Sequence, residues 1–399
     1  CVPSKIMIRA SQIAQHQRQN PFDGIQNQSP QVDKAALVHQ MSARVDELRY
    51  AKYEHILESQ ERISLIKGHA SFKNTTTLVV TKGDGRSKEI TADRILVASG
   101  SRPFIPAIEG LSETPYWTST EAQFSDKLPA QLTVIGSSST ALELAQAFHR
   151  LGSKVTILAR KSLLTREDPA VGKALQQALV AEGLAVRTNT QANAVRYDNN
   201  RFYLELATPN GSESLVSDQL LVAVGRSPNT DRLELDRIGL ETDQNGFIKV
   251  DSRGRTNIEQ IYAAGDCSTM PQFVYVAAAA GNRAAINMTG GEASLDLLTM
   301  PSVVFTDPQV ATVGMTEQQA KDIGLRTVSR ILTLDNVPRA LANFDTQGII
   351  KLVVNQANQR LIGAQVVAGE AGEVIQSAAL AIRNNMTVTE LADQLFPHL

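Results

Sequence analysis

Two cysteines, Cys1 and Cys267, are the only thiols in the sequence, and their surroundings predict different roles. Lys5 follows Cys1 by about one helical turn on the same face, where an ammonium group would favour the reactive thiolate. The alternative is that a cysteine at a chain boundary has no role. Cys267 is predicted to be a small buried side chain, with a reactive partner thiol as the alternative. Its neighbour Asp266 follows a strand that ends in glycine, and its carboxylate could bind a ribose or polyol or could cap a nearby helix.

A tight turn lies within residues 132–160, which read as strand, turn, helix and strand. Gly136 permits the sharp turn, Ser138 stands where a second glycine would let the backbone approach a pyrophosphate, and Ala141 allows close helix–strand packing. This pattern predicts a dinucleotide-binding βαβ unit; the alternative is a turn that serves packing alone.

Basic residues follow the second strand of this unit, where an NAD-binding protein carries an acidic residue for the ribose 2′-hydroxyl. Arg160 and Lys161 occupy this place, and Arg166 is near. Cations here suit the 2′-phosphate of NADPH, because charge-assisted hydrogen bonds to phosphate are strong. The alternative is a solvated basic loop.

An internal repeat relates residues 93–103 (DRILVASGSRP) to residues 218–228 (DQLLVAVGRSP). Each copy predicts a central parallel strand that ends in a Gly-x-x-Pro turn, at Gly100 and at Gly225. Ligands of open α/β sheets bind at such strand ends. Because residues 1–20 contain no nucleotide-binding turn to match the one at Gly136, we expect the first such turn to lie upstream of Cys1.

The composition describes an ordinary globular chain of 399 residues, with 42% hydrophobic and 20% charged residues. It predicts two to three domains and excludes collagen-like or largely disordered classes. A net charge of −2 with scattered basic residues favours neither nucleic acid nor a membrane surface as partner. No apolar run approaches the roughly 18 residues that span a bilayer. Two cysteines cannot form a disulfide scaffold, which favours a reducing compartment, the cytoplasm.

Periodicity predicts the elements outside the βαβ unit. The first residues suggest an amphipathic helix, and residues 192–216 suggest a small antiparallel hairpin. After Met300 the pattern changes to mixed α+β, and Thr387 and Glu390 have the spacing of a capping box. The predicted elements of this part are strands near 302–305, 310–313, 348–354 and 360–367, and helices near 370–384 and 388–395.

Several of these features together resemble the flavin-dependent pyridine nucleotide–disulfide oxidoreductases. They are Cys1-Val-Pro-Ser-Lys5, the turns at Gly100 and Gly225, the βαβ unit and Ala264-Gly-Asp266. The resemblance covers the whole chain. Within that family, four longer segments resemble the members that reduce mercuric ion: SKIMIRAS near the start, FVYVAAAAG at 273–281, VVFTDPQVATVG at 303–314 and LDNVPRALANFDTQGIIKLVV at 334–354.

The resemblance implies an α/β fold with two Rossmann-like nucleotide-binding domains, for FAD and NADPH, and a C-terminal α+β dimerisation domain. The implied boundaries are 1–120 for the FAD domain, without its N-terminal part, 121–246 for the NADPH domain, 247–298 for the continued FAD domain and 299–399 for the dimerisation domain. The C-terminal end of the last domain, with the cysteine pair that hands mercury to the partner's active site, is expected beyond Leu399.

The resemblance also implies residue roles. Cys1 matches the second cysteine of the redox pair and would bind Hg(II), Lys5 would approach the flavin N5 edge, and Glu143 would pair with Lys5. Tyr53 resembles the tyrosine that reaches the metal or disulfide site. The implied FAD contacts are Lys5, Ala70, Gly100, Asp266 and Val274, and the NADPH contacts are Gly136, Ser138, Ala141, Arg160, Arg166 and Gly225.

The expected function is reduction of Hg(II), held as a thiol complex, by NADPH through FAD in a homodimer. An alternative is reduction of a disulfide such as lipoamide or glutathione disulfide, because His398 stands where disulfide reductases have their acid–base histidine. An alternative of another class is a noncatalytic nucleotide-binding fragment.

Overall fold

A computed structural model describes residues 1–396 and contains two compact units. The first unit comprises Cys1, Arg44–Phe104 and Gly225–Leu297. The second comprises Val2–Ala43, Ile105–Val224 and the chain from Leu298 onward. Among the described residues, no helix is both long enough and apolar enough to cross a membrane.

The described residues contain helices of five to 17 residues. They are α1 (Val2–Arg18), α2 (Lys34–Arg49), α3 (His55–Ser59), α4 (Ser119–Phe124), α5 (Ser139–Leu151), α6 (Pro169–Glu182), α7 (Val274–Met288), α8 (Glu317–Asp322), α9 (Pro338–Ala342), α10 (Ala371–Arg383) and α11 (Val388–Ala392). A π-helix spans Tyr50–Glu54, and 3₁₀ turns span Leu111–Glu113, Leu235–Ile238 and Leu334–Asn336.

The strands form sheets of two to five members. They are β1 (His69–Phe72), β2 (Thr77–Thr81), β3 (Ser87–Thr91), β4 (Ile95–Val97), β5 (Ser101–Pro103), β6 (Gln131–Ile135), β7 (Lys154–Leu158), β8 (Ala185–Arg187), β9 (Gln191–Asp198), β10 (Arg201–Thr208), β11 (Gly211–Ser217), β12 (Gln219–Val222), β13 (Arg226–Pro228), β14 (Ile261–Ala263), β15 (Ser302–Val304), β16 (Gln309–Gly314), β17 (Thr327–Thr333), β18 (Ile349–Asn355) and β19 (Leu361–Ala368).

The first unit is built around the parallel pair β4–β14, in which Ile95 lies opposite Ile261 and Val97 opposite Ala263. These residues pack with Phe72 to form a buried core. A separate antiparallel sheet has the order β1-β2-β3. The turns that end the two repeat copies pair with each other as the antiparallel ribbon β5–β13.

The βαβ unit predicted for residues 132–160 is confirmed in the second unit, as β6, α5 and β7 within a parallel sheet of order β12-β6-β7-β8. Gly152, with φ of +126°, ends α5 in a conformation that glycine adopts without strain. Helix α1 is amphipathic as predicted: Met7, Ile8 and Ala14 are buried on one face, and α1 packs against α5.

The central position predicted for both repeat strands is wrong. β12 ends its sheet: β6 flanks it on one side and only a bridge between Trp117 and Leu221 lies on the other. β4 belongs to a two-stranded pair. The strands read as central because they are apolar on both faces. The core that buries β12 includes Phe202, Leu204 and Leu206 of β10, a strand of a different sheet.

The hairpin predicted for residues 192–216 is a three-stranded antiparallel sheet, β11-β10-β9. Asn199 and Asn200 adopt φ of +49° and +60° in the two-residue turn, as Asn tolerates in such turns. The mixed α+β pattern after Met300 is confirmed as the antiparallel sheet β15-β16-β19-β18-β17, on which α10 packs. The capping box of Thr387 and Glu390 is present, and α11 ends earlier than predicted, at Ala392.

Candidate functional site

Lys5 and Glu143, predicted as a pair, are in contact in the second unit. The Lys5 ammonium donates a 2.6 Å hydrogen bond to Glu143 Oε2, which joins α1 to α5. The Glu143 side chain is 9% exposed and the Lys5 side chain 35% exposed. A carboxylate in this position compensates the charge of a lysine that is only partly hydrated.

Phe305, which the sequence analysis did not select, completes this cluster. Its backbone N–H donates a 2.9 Å hydrogen bond to Glu143 Oε1, so both oxygens of the carboxylate are used. Its ring lies 4.1 Å from the Lys5 Nζ, measured to the ring centroid, which is within range of a cation–π contact. The segment VVFTDPQVATVG carried a resemblance but no feature that marks Phe305 by itself.

The turn at Gly136 has the tight geometry predicted for a nucleotide site. With φ of +138°, Gly136 lies so close to Ala223 that an added Cβ would be 2.3 Å from the Ala223 carbonyl oxygen. Ser138 donates to the same oxygen at 3.2 Å instead of capping α5. Ala141 is fully buried behind the turn. No side chain caps the N-terminal end of α5, which fits an anionic pyrophosphate there.

Arg160, Lys161 and Arg166 lie exposed in the loop after β7. Their side chains have no hydrogen bond or ion pair with any other residue in the described part of the chain. Leu163 and Leu164 anchor this loop in the core. Three uncompensated cations beside a nucleotide turn fit a phosphate group, and thus the NADPH that the sequence predicts there.

The two glycine turns of the repeat lie side by side in the first unit. Gly100 and Gly225 have φ of +70° and +142°. The Gly225 carbonyl accepts from Phe104 N, and the Gly100 carbonyl accepts from Asn229 N, each at 2.9 Å. The Gly225 turn, predicted to contact NADPH, is therefore hydrogen-bonded to the turn predicted to contact FAD.

Asp266 lies in a loop after β14, with its side chain 29% exposed. Ser101 donates to Asp266 Oδ2 at 2.9 Å, and Arg226 Nε lies 3.6 Å from the same oxygen. The alternative helix-cap role is wrong, because the next helix, α7, begins at Val274 with Phe273 as its N-cap. A partly exposed carboxylate on this ribbon fits the hydroxyl groups of a ribityl chain.

The remaining predicted FAD contacts also lie in the first unit. Val274 is 62% exposed at the N-terminal end of α7, where no side chain caps the helix. Burial raises the pKa of Tyr275, the second residue of α7, from 10.0 to about 12, which further disfavours a negative charge on its phenol. Ala70 is half-buried in β1. An uncapped, uncharged helix terminus suits the negative charge of a reduced flavin.

The buried position predicted for Cys267 is confirmed. Cys267 is fully buried and donates weakly to the carbonyl groups of Val97 and Ala264. Cys1 is exposed immediately before α1. Tyr53 is 66% exposed within the π-helix. His398 lies outside the described residues.

Two buried ionic clusters were missed by the sequence analysis, because their members are far apart in the chain. Arg150 binds Glu182 and Asp307, at 2.6 and 2.8 Å. Lys351 binds Asp168 and Glu317, at 2.7 and 2.6 Å. Burial would lower the pKa of Lys351, but its two carboxylate partners outweigh this and raise it. Hydrogen bonds from Lys351 and Ser329 lower the pKa of Glu317.

The second unit has a parallel βαβ unit whose helix lacks a side-chain cap and whose following loop carries exposed cations. The first unit has the paired glycine turns. This combination is typical of a nucleotide-dependent oxidoreductase. The chain belongs to the pyridine nucleotide-disulphide oxidoreductase family, whose pattern matches residues 1–281 and whose dimerisation domain matches residues 300–399.

Curated relatives and solved structures agree with this assignment. The chain is 59% identical over 399 residues to a mercuric reductase of Shewanella putrefaciens, covering all of this chain and 71% of the relative. It is 58% identical over 400 residues to a mercuric reductase of Shigella flexneri, with the same coverage. The HOCl-induced flavoprotein disulfide reductase RclA of Escherichia coli is 27% identical, with a TM-score of 0.84 over 100% of this chain and 86% of that one.

Proposed function

We propose that this protein reduces Hg(II) to elemental mercury with NADPH, as a flavoprotein homodimer. The observation that supports this substrate is the sequence identity to mercuric reductases along the entire chain. It is 59%, against 27% for the disulfide reductase RclA. The match to a dimerisation domain supports the homodimer. The low cysteine count supports a reducing compartment, the cytoplasm.

The enzymes of this family use FAD and NADPH, and the residues present fit both. Gly136, Ser138 and Ala141 would hold the NADPH pyrophosphate at the α5 terminus, and Arg160 and Arg166 its 2′-phosphate. Gly100, Asp266, Val274 and Ala70 would contact FAD, and Gly225 would support the NADPH side. When bound, the two cofactors supply hydride and electron-pair transfer.

We assign three domains to the chain: an FAD-binding domain in two segments, residues 1–120 and 247–298, an NADPH-binding domain, residues 121–246, and a dimerisation domain, residues 299–399. The parallel sheet around α5 supports the assignment of the NADPH-binding domain. The antiparallel sheet after Met300 supports the assignment of the dimerisation domain.

Cys1 would bind Hg(II) through its thiolate, because soft thiolates are the preferred ligands of a soft metal ion. Mercury would arrive as a thiol complex, and protein thiolates would replace the thiols that are bound to it. The overall reaction balances as Hg(SR)₂ + NADPH + H⁺ → Hg⁰ + 2 RSH + NADP⁺. Lys5, fixed by Glu143, would place a positive charge beside the flavin edge, and Tyr53 would reach the bound metal.

The test uses the full-length protein. We expect Hg(II)-dependent NADPH oxidation that Cys1→Ser abolishes, because serine is a poor ligand for soft metals. His398→Tyr should leave this activity in place, because mercury reduction needs no proton donor for a leaving thiolate. Rapid turnover of lipoamide or glutathione disulfide, no response to Hg(II) and loss of activity in His398→Tyr would establish the disulfide reductase instead.

A further inference from the structure

We propose that Phe305 is a positioning residue that sets the location of the Lys5 ammonium, a role that rests on the proposed function of Lys5. The residue binds both members of the pair at once. Its N–H holds one oxygen of Glu143, and its ring lies against Lys5, which binds the other oxygen. A displacement of Phe305 would therefore change both contacts of Lys5.

The Glu143 contact alone leaves Lys5 considerable freedom. The Lys5 side chain is 35% exposed, so water screens its attraction to the carboxylate. Lysine also has four flexible side-chain bonds, and holding them in one arrangement costs entropy. A second contact on another side of the ammonium is needed to select one position, and the ring at 4.1 Å supplies it.

The exposure of Phe305 shows that its ring does not serve the core. The residue is 38% exposed, although its neighbours Val304 and Thr306 are buried. Val304 belongs to the buried core of this unit, and Phe305 does not. An exposed aromatic ring that contacts a cation is better explained by that cation than by packing.

The backbone at Phe305 is fixed by the same helix that carries Glu143. Gln146 makes two hydrogen bonds with the backbone of Asp307, at 2.6 and 2.8 Å, and Arg150 binds the Asp307 carboxylate at 2.8 Å. Glu143, Gln146 and Arg150 lie on one face of α5. Phe305 is therefore held at a set distance from Glu143, and its ring from Lys5.

The experiment compares Phe305→Leu, which removes the ring, with Phe305→Tyr, which keeps it. Lysines of the holoenzyme are labelled with ¹³C-methyl groups, and the Lys5 signal is assigned by its absence in Lys5→Arg. We expect an upfield ring-current shift of this signal in wild type and in Phe305→Tyr, and its loss in Phe305→Leu. Phe124→Leu, which removes an exposed ring elsewhere in the same unit, should leave the signal unchanged.

Turnover gives the second measurement. Phe305→Leu should lower NADPH-dependent turnover roughly two- to fivefold, the factor that corresponds to one partly exposed cation–π contact. Phe305→Tyr should restore it. An unchanged Lys5 signal in Phe305→Leu, or equal losses in the Leu and Tyr variants, would overturn the proposal. Because the NMR signal does not depend on the substrate, a protein that ignores Hg(II) would refute the proposed function and still test Phe305.

Discussion

Lys34 is a buried lysine whose charge should make the stability of the protein depend on alkaline pH. It is 5% exposed at the start of α2, and its ammonium donates to the carbonyl oxygens of Gln123 and Ser125 at 3.3 and 3.0 Å. Burial lowers its pKa from 10.5 to about 8, although Asp126 opposes the change. The folded protein therefore disfavours the charged form.

The difference between these pKa values corresponds to about 3 kcal/mol. Below pH 8 Lys34 is charged in both the folded and the unfolded state, so burial of the charge lowers the free energy of unfolding by the full amount. As the pH rises from 8 to 10.5 the folded state loses its proton first and the cost disappears. The contribution of Lys34 to stability thus increases with pH across this window.

The measurement is the free energy of unfolding of wild type and Lys34→Met in urea, from neutral pH to pH 10.5. Methionine does not titrate, so the stability of wild type relative to the variant should rise by about 3 kcal/mol across the window. Lys173→Met, at an exposed position of α6, should show no such trend. A difference that stays constant with pH, or falls, would refute the reasoning.

The remaining predictions concern other charged groups. Arg160→Glu should lower the ratio of NADPH to NADH efficiency about ten- to a hundredfold, because a charge-assisted phosphate contact is lost; steady-state kinetics with both nucleotides measure this, with exposed Lys173→Glu as control. Lys351→Met should destabilise the fold by about 3–5 kcal/mol, because two carboxylates lose their partner, whereas exposed Lys321→Met should change it by less than about 0.5 kcal/mol. Since the pKa of Glu317 is lowered, the stabilisation from its ion pair with Lys351 should be complete above about pH 4.5 and be lost on further acidification, which urea unfolding in acid would reveal.

Local patterns predicted the parts of the fold that local interactions determine. The βαβ unit follows from apolar periods of two and 3.6 residues around Gly136, and the last helix from the capping box of Thr387. The strand β17 was missed because all but two of its residues are exposed. Without a buried face, its sequence does not alternate between apolar and polar residues. The helix α2 was missed for a similar reason, since only Lys34 and Met41 are buried along it.

The residues of the candidate site were also predictable only where they lie close together in the sequence. Gly136 and the basic loop after β7 are recognisable because their chemistry is concentrated in one short segment. The pair of Lys5 and Glu143 came from resemblance alone, since 138 residues separate its members. Phe305 and Lys351 could not be found from the sequence, because their importance depends on partners that only folding brings near.

Helix α5 connects two chemical tasks within the second unit. Its first turn offers uncapped amides where the NADPH pyrophosphate is expected, while Glu143, Gln146 and Arg150 bind the segment from Phe305 to Asp307. The helix is nearly all buried, so it cannot shift at one end alone without opening the core. A displacement of its nucleotide-binding end should therefore be carried to the Glu143 carboxylate and from there to Lys5. The same helix would then set both where the nucleotide is expected to bind and where the lysine charge is held.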